Sequence, residues 1–455
     1  MRHLARFIAK AIAFLSPVLK QGGGTSAPGL ALLKLDPKAI TRMANGLSDG
    51  RIVVSATNGK TTTTRILSKI IDKANIPSVS NAAGANLKSG IATTLLRRSS
   101  SQKLGVFEVD EGVLPEVAAE INANIVVLMN LFRDQLDRYG ELEKIRENWK
   151  LMIDGLPAST KLLVNADDPS LVFATLDHPN LVFFGLGETR YALESIPHAA
   201  DSSQCPRCNN QLQYSQITIS HMGDWSCTQC GLSRPNLDFE ATEIELQGVE
   251  SIKFNILSRT GEEVIEAKLP GLHNVYNALA AFTAAKQLDI GTAVARTAIS
   301  SVNAAFGRTE SIQLGDKKLT LLLAKNPAGA NSNLDTLLLH PDRFHLAVLL
   351  NDRIADGKDV SWIWDVDYEK IFHKIESVHV GGERAYDLAL RFMYGGYSPE
   401  RIIVNDEIDH LIDCLMTKTP SNETIFVLPS YTAMLDFRAE LVNRGLTHDF
   451  WEEGL

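Results

Sequence analysis

Residues 56–63 read Ala56-Thr57-Asn58-Gly59-Lys60-Thr61-Thr62-Thr63, directly after the strand-like run 51–56 (RIVVSA) and at the head of a helical pattern running from Lys60 to about Ala74. A strand that turns through glycine into a helix points backbone N–H groups at an anion and adds the field of the helix N-terminus. Lys60 supplies a point charge for phosphate, and the Thr61 hydroxyl is a hard ligand for Mg²⁺. The first glycine of the usual phosphate-loop pattern falls at Val54, so this is a variant loop; the competing reading is an ordinary glycine-containing βα turn. Thr57, Asn58, Gly59, Lys60, Thr61 and Thr62 are the residues expected around a bound phosphate group.

Outward from this loop, apolar runs at 104–109, 125–129 and 161–164 alternate with helical patterns at 114–121 and 141–153, which predicts a parallel sheet covered on both faces. Strand-like alternation then fills 238–268, and an Ala-rich helix is expected over 274–288. Gly307, Arg308 and Gly315 bracket a polar stretch that reads as a domain boundary. Beyond it, strands at 319–323, 346–350, 377–380, 402–404 and 424–428 and helices at 383–393 and 432–443 begin a second α/β unit. The expected division is an N-terminal segment 1–45, a central ATP-binding domain 46–312 with an insertion at about 201–235, and a Rossmann-like C-terminal domain 313–455.

The 455 residues suit about three domains. With 45% hydrophobic and 22% charged residues, the composition excludes a disordered scaffold. The net charge of -9 argues against nucleic-acid binding through a global positive field. No apolar run reaches the roughly 18 residues that a membrane-spanning helix needs. Residues 1–20 imitate a signal peptide. However, Leu4, Phe7, Ile8, Ala11, Ile12 and Leu15 recur at helical spacing between Arg2, Arg6 and Lys10, which predicts an amphipathic helix packed on the central domain, with contact to a membrane surface as the alternative.

Two further groups carry chemistry. Glu108 closes a strand in Phe107-Glu108-Val109-Asp110-Glu111, where ligands bind in open α/β sheets, and is the carboxylate expected on Mg²⁺; Asp110 and Glu111 read as surface charge. Cys205-Pro206-Arg207-Cys208 and Cys227-Thr228-Gln229-Cys230 are two knuckles 18 residues apart, the spacing of a four-cysteine structural zinc site. A filled tetrahedron leaves no position for catalysis and braces an insertion too small for its own core. Cys414 is expected in a core.

The motifs ATNGKTTT, NLFRDQLDRYGE (130–141), LVNADDP (163–169), LPGLHNVYNALAA (269–281) and FGRTE (306–310) occur in the order seen in Mur ligases, which couple a carboxylate to an amine at the expense of ATP. The resemblance covers the central and C-terminal domains. The four-cysteine insertion, LAKNPAGAN (323–331) and NDRIADGKDVSWIWD (351–365) look more specifically like the amidating branch of that superfamily, whose ligase subunit pairs with a GatD-type glutaminase. That resemblance implies a cytoplasmic enzyme, working at the inner membrane face, that amidates the D-glutamate α-carboxylate of the lipid II stem peptide through an acyl phosphate. It also implies Lys60 on the β/γ-phosphates, Thr61 and Glu108 on Mg²⁺, and Asn274 and Arg308 on the nucleotide.

Several positions depart from the superfamily. Gln135 stands where many Mur ligases have a histidine, which puts a second metal site in question. Lys150, fifteen residues on, fits the lysine that many of them carbamylate. Lys325-Asn326-Pro327 replaces His-Asn-Pro, and Leu322 stands where an aspartate often contacts ribose, consistent with a C-terminal domain turned to partner docking. In 356–365, carboxylates flank Gly357 beside Trp362 and Trp364, a composition favoured at interfaces; packed tryptophans after a turn are the plainer reading. By resemblance, Asp359 is expected to orient the partner's catalytic histidine, with Asp356 in reserve. The rival within the superfamily is an amino-acid-adding ligase of Mur or folylpolyglutamate type. A nucleic-acid-binding zinc-ribbon ATPase is disfavoured because 201–235 has only Arg207 and Arg234 as basic residues.

Overall fold

The computed structural model describes residues 9, 26–81, 85–134, 142–188, 190–197, 200, 202–302 and 308–447. The amphipathic helix expected over 1–20 lies outside them apart from Ala9, which is helical and buried.

The strands in chain order are β1 (Gly50–Ser55), β2 (Ser78–Ser80), β3 (Leu104–Glu108), β4 (Ile125–Leu128), β5 (Lys161–Asn165), β6 (Leu181–Leu186), β7 (Gln213–Ile219), β8 (Met222–Ser226), β9 (Phe239–Gln247), β10 (Ser251–Ser258), β11 (Gly261–Ala267), β12 (Arg308–Leu314), β13 (Lys317–Leu322), β14 (Phe344–Leu349), β15 (Ile375–Gly381), β16 (Ile402–Asn405) and β17 (Thr424–Pro429). The first sheet has the order β11-β10-β9-β6-β5-β4-β1-β3-β2. It is parallel from β2 to β9, and β10 and β11 extend it antiparallel. Strand β1 is central because both its faces are apolar. Ile52 and Val54 pack with Ile66, Leu67 and Ile70 of helix Lys60–Lys73 on one face, and Val53 packs with Ile91, Val117 and Trp149 on the other. The helix expected over 274–288 runs from Leu272 to Lys286, and its unbroken buried stretch Asn274–Ala285 lies against the same side as helix Lys60–Lys73.

The second sheet is β12-β13-β17-β14-β15-β16, parallel except for the β12–β13 hairpin. The polar stretch 308–314 is thus a strand of this sheet, and Gly315, at φ +65°, makes its turn. The insertion holds one hairpin, β7–β8, and a small core of Cys205, Leu212, Trp225, Cys227 and Leu232. Cys414, expected in a core, is only partly buried because its helix, Ile408–Lys418, turns Leu411, Ile412 and Leu415 inward instead. Among the described residues no helix is long and apolar enough to cross a membrane.

Candidate active site

The loop after β1 is locked before any ligand arrives. Gly59 adopts φ +91° as the N-cap of helix Lys60–Lys73, and a Cβ there would lie 2.1 Å from Asn277 Oδ1. Both the conformation and the space therefore demand glycine. The Asn58 N–H donates to Asn130 Oδ1 (2.8 Å), Asn130 Nδ2 donates to the Asn58 carbonyl (3.0 Å), and Phe132 N–H donates to Thr57 Oγ1 (3.0 Å). Thr62 is buried in the first helical turn, where backbone N–H groups have no partner within the helix.

Lys60 is 7% exposed at its side chain, and its Nζ donates to Glu111 Oε2 at 2.7 Å, to the Thr57 carbonyl at 3.3 Å and to the Ala56 carbonyl. Glu111 is 3% exposed. This corrects its reading as surface charge: the backbone after β3 folds inward, and its carbonyl accepts from Trp149 Nε1 (2.9 Å). Burial raises the Glu111 pKa, but the ammonium groups of Lys60 and Lys325 outweigh it and hold the carboxyl below its ordinary value. Lys325 also pairs with Asp134, whose carboxyl is pushed up by burial and by the charge of Glu111. Asp134 Oδ1 has no hydrogen-bond partner among the described residues.

Glu108 is 2% exposed. Its Oε1 accepts from Thr61 Oγ1 (3.1 Å) and Asn86 Nδ2 (3.2 Å), and its backbone is pinned on both sides by the Asn81 amide. Its Oε2 is buried with no hydrogen-bond partner among the described residues. A buried carboxylate oxygen left unfilled beside a threonine hydroxyl at a phosphate loop is a donor set that fits Mg²⁺. Asn274 is buried in the first turn of its helix, where Nδ2 donates to the Pro270 carbonyl (2.7 Å) and Oδ1 accepts from Asn277 (2.9 Å). The C-terminal domain reaches this loop through Asn326, whose side-chain amide and that of Asn58 exchange two hydrogen bonds (3.0 and 3.1 Å).

Other residues of interest lie elsewhere. Lys150 pairs with Asp177 (2.8 Å) and Asp154 (3.7 Å), contacts that raise its pKa. Arg308 opens β12, and Gln135 lies outside the described residues. Asp359 is exposed, accepts from the Ser361 N–H (2.9 Å), and is held below the ordinary carboxylate value by the Ser361 hydroxyl and N–H. Asp356 is buried, with one oxygen accepting from Thr432 N–H (2.7 Å) and the other from Thr432 Oγ1. Trp362 packs at the edge of the C-terminal core, and Trp364 is half exposed beside Tyr394.

The four cysteine sulfurs converge. Cys205–Cys230 and Cys208–Cys227 are each 3.5 Å apart, and all four lie within 4.8 Å of one another. Thiolates at about 2.3 Å from a tetrahedral zinc ion stand about 3.8 Å apart, so the set fits the metal. Backbone N–H groups of Cys230 and Gln229 lower the Cys227 thiol to about 6.

A loop of this kind between two Mur-type sheets defines the class. A model of the Mur ligase middle domain matches residues 54–225, and a model of the MurT ligase C-terminal region matches residues 323–434. The fold is also that of a pseudomurein peptide ligase type C from Methanothermus fervidus (TM-score 0.69, 21% identity, covering 88% of this chain and 79% of that one). Within the class, the chain belongs to the family of MurT subunits of lipid II isoglutaminyl synthase (glutamine-hydrolyzing). It is 35% identical to the Streptococcus pneumoniae (strain ATCC BAA-255 / R6) subunit over 93% of each chain, and 31% identical to that of Staphylococcus aureus (strain N315) over 96% of each.

Three parts of the site escaped the sequence reading. Glu111, the Lys325–Asp134 pair and the Asn58–Asn326 exchange link residues 51, 191 and 268 positions apart. Asn326 did carry a signal: Asn before Pro327 at a helix start is an N-cap, and its side chain accepts from the Gly329 N–H (2.8 Å).

Proposed function

We propose that the chain amidates the D-glutamate α-carboxylate of the lipid II stem peptide, using ATP and ammonia released from glutamine by a GatD-type partner in a heterodimer. The carrying observation is the unfilled Glu108 Oε2 beside Thr61 at the head of a lysine-bearing phosphate loop. Lys60 would neutralise the β- and γ-phosphates, and Asn274 and Arg308 would contact the nucleotide. Glu108 and Thr61 would hold Mg²⁺, which when bound neutralises phosphate charge. The four cysteines would hold a structural zinc ion.

The carboxylate oxygen attacks the γ-phosphorus and ADP leaves, giving an acyl phosphate. Ammonia then adds to the carbonyl carbon, loses a proton and expels phosphate. The loop supplies position and charge neutralisation rather than a covalent nucleophile. Asp359 suits the orienting carboxylate across the partner interface because it is ionised, exposed and fixed by Ser361. Asp356 does not, because Thr432 occupies both its oxygens. Lys150, held as a cation by two aspartates, is disfavoured as a carbamate former, since carbamylation needs the neutral amine. Use of ATP together with a lipid-linked substrate supports a cytoplasmic enzyme working at the inner membrane face.

The test is amidation of lipid II by the zinc-loaded chain with MgATP, supplied with glutamine or ammonium, with and without the partner. Glutamine should support turnover only with the partner present. Ligation of an amino acid with no amidation under any condition would overturn the reading.

A further inference from the structure

The insertion does more than brace itself. Its hairpin reaches back to the central domain at several points. Thr218 Oγ1 and Tyr276 OH are 2.7 Å apart, the Tyr276 hydroxyl donates to buried Asp167 (2.6 Å), and Arg234 pairs with the same carboxylate (2.7 Å). Trp225 Nε1 donates to the Ala166 carbonyl (3.1 Å). Tyr276 belongs to the helix that carries Asn274 and Asn277, so the hairpin is keyed to the helix that abuts the phosphate loop.

Thr218 and Ile219 at the end of β7 also line a cavity of about 190 Å³. Ser332, Asp335 and Thr336 of helix Pro327–Leu338 and His273 of the helix that carries Asn274 line it too. A second, smaller cavity continues along Ile219, Ser332 and Asp335. The volume far exceeds the roughly 30 Å³ share of one water, and the walls mix apolar side chains with hydroxyls and a carboxylate, as small-ligand sites do. Asn277, whose side chain abuts Gly59, lies four positions after His273 on the same helix. That is about 6 Å along the helix axis, a separation on the scale of a polyphosphate chain.

We infer that the four-cysteine insertion is a wall of the nucleotide site: Ile219 and Thr218 shape the cleft that takes the nucleoside end of the nucleotide whose phosphates sit at Lys60. The inference rests on the ATP-dependent reading above and adds a module to it. Ile219 is a specificity residue that packs against the nucleoside. Thr218, turned onto Tyr276, is a positioning residue for the hairpin.

Titration calorimetry of the full zinc-loaded chain in complex with its partner tests this, with MgATP and magnesium tripolyphosphate as paired probes. Ile219→Trp fills the cleft and should weaken MgATP about tenfold while leaving tripolyphosphate unchanged. Thr218→Val keeps the side-chain shape, guards against a misfolded tryptophan variant, and should weaken MgATP several-fold with the same selectivity. Zinc content equal to wild type shows that each variant retains its insertion. Unchanged MgATP affinity in both variants overturns the inference, as does an equal loss for both probes. A wild-type complex that binds neither probe overturns the ATP-dependent reading itself.

Discussion

Replacing Glu111 with Gln should move nucleotide affinity and stability in opposite directions. Lys60 is the cation expected on the phosphates, yet its ammonium is engaged by Glu111 Oε2 at 2.7 Å and by two loop carbonyls. A buried, charge-assisted hydrogen bond of this kind is worth about 1.5–3 kcal/mol. If binding exchanges that bond for phosphate, its removal should tighten MgATP by about ten- to a hundredfold, at about 1.4 kcal/mol per decade. The empty protein loses about the same 1.5–3 kcal/mol of stability in return, because Lys60 is left buried without its counter-charge. The Trp149 bond to the Glu111 backbone keeps the loop in place, so the substitution changes charge rather than path. Calorimetry would give the affinity, and thermal unfolding with and without MgATP the stability. A Glu111→Gln variant that binds MgATP as poorly as Lys60→Met would refute the reasoning and assign Glu111 to the bound state instead.

Three further outcomes follow from the same contacts. Gly59→Ala should abolish MgATP binding, because the added Cβ meets Asn277 Oδ1 at 2.1 Å in a left-handed conformation; binding within threefold of wild type would contradict this. Asp359→Asn should remove glutamine-dependent amidation and spare the ammonium-dependent reaction, whereas Asp356→Ala should lower the melting temperature by untying the helix Tyr431–Asn443; a single melting temperature for both variants and wild type would oppose the distinction. Burial, together with His345 and Lys418, lowers His379 from 6.5 to about 4. The folded state therefore binds fewer protons than the unfolded one between these values. Stability is complete above about pH 6.5 and falls toward pH 4 by about 3 kcal/mol, at 1.36 kcal/mol per unit. Urea unfolding of wild type and His379→Gln at several pH values should show a shallower slope in the variant, and parallel slopes would contradict the assignment.

Local patterns carried most of the fold. The strand before Ala56 and the glycine turn located the loop, because the unbroken apolar run of β1, buried on both faces, and a positive φ at Gly59 are dictated by residues adjacent in the chain. The two cysteine knuckles located the insertion for the same reason. What stayed hidden depends on chain segments meeting. Glu111 reads as loop charge until the backbone after β3 is seen to fold beneath Lys60, and Lys325 reads as a departure from His-Asn-Pro until it meets Asp134. Asp356 and Asp359, three residues apart, could not be ranked by composition. One faces the N-terminal turn of the helix after β17 and the other faces solvent, a difference set by tertiary packing alone.

The most direct measurement of the proposed chemistry follows a heavy oxygen isotope placed in the α-carboxylate of the D-glutamate of lipid II. With the zinc-loaded complex, MgATP and glutamine, one labelled oxygen should appear in inorganic phosphate for each amide formed, since the carboxylate oxygen that attacks the γ-phosphorus leaves with it. Amide formation with unlabelled phosphate, or with release of pyrophosphate, would contradict carboxylate activation at the Lys60 loop.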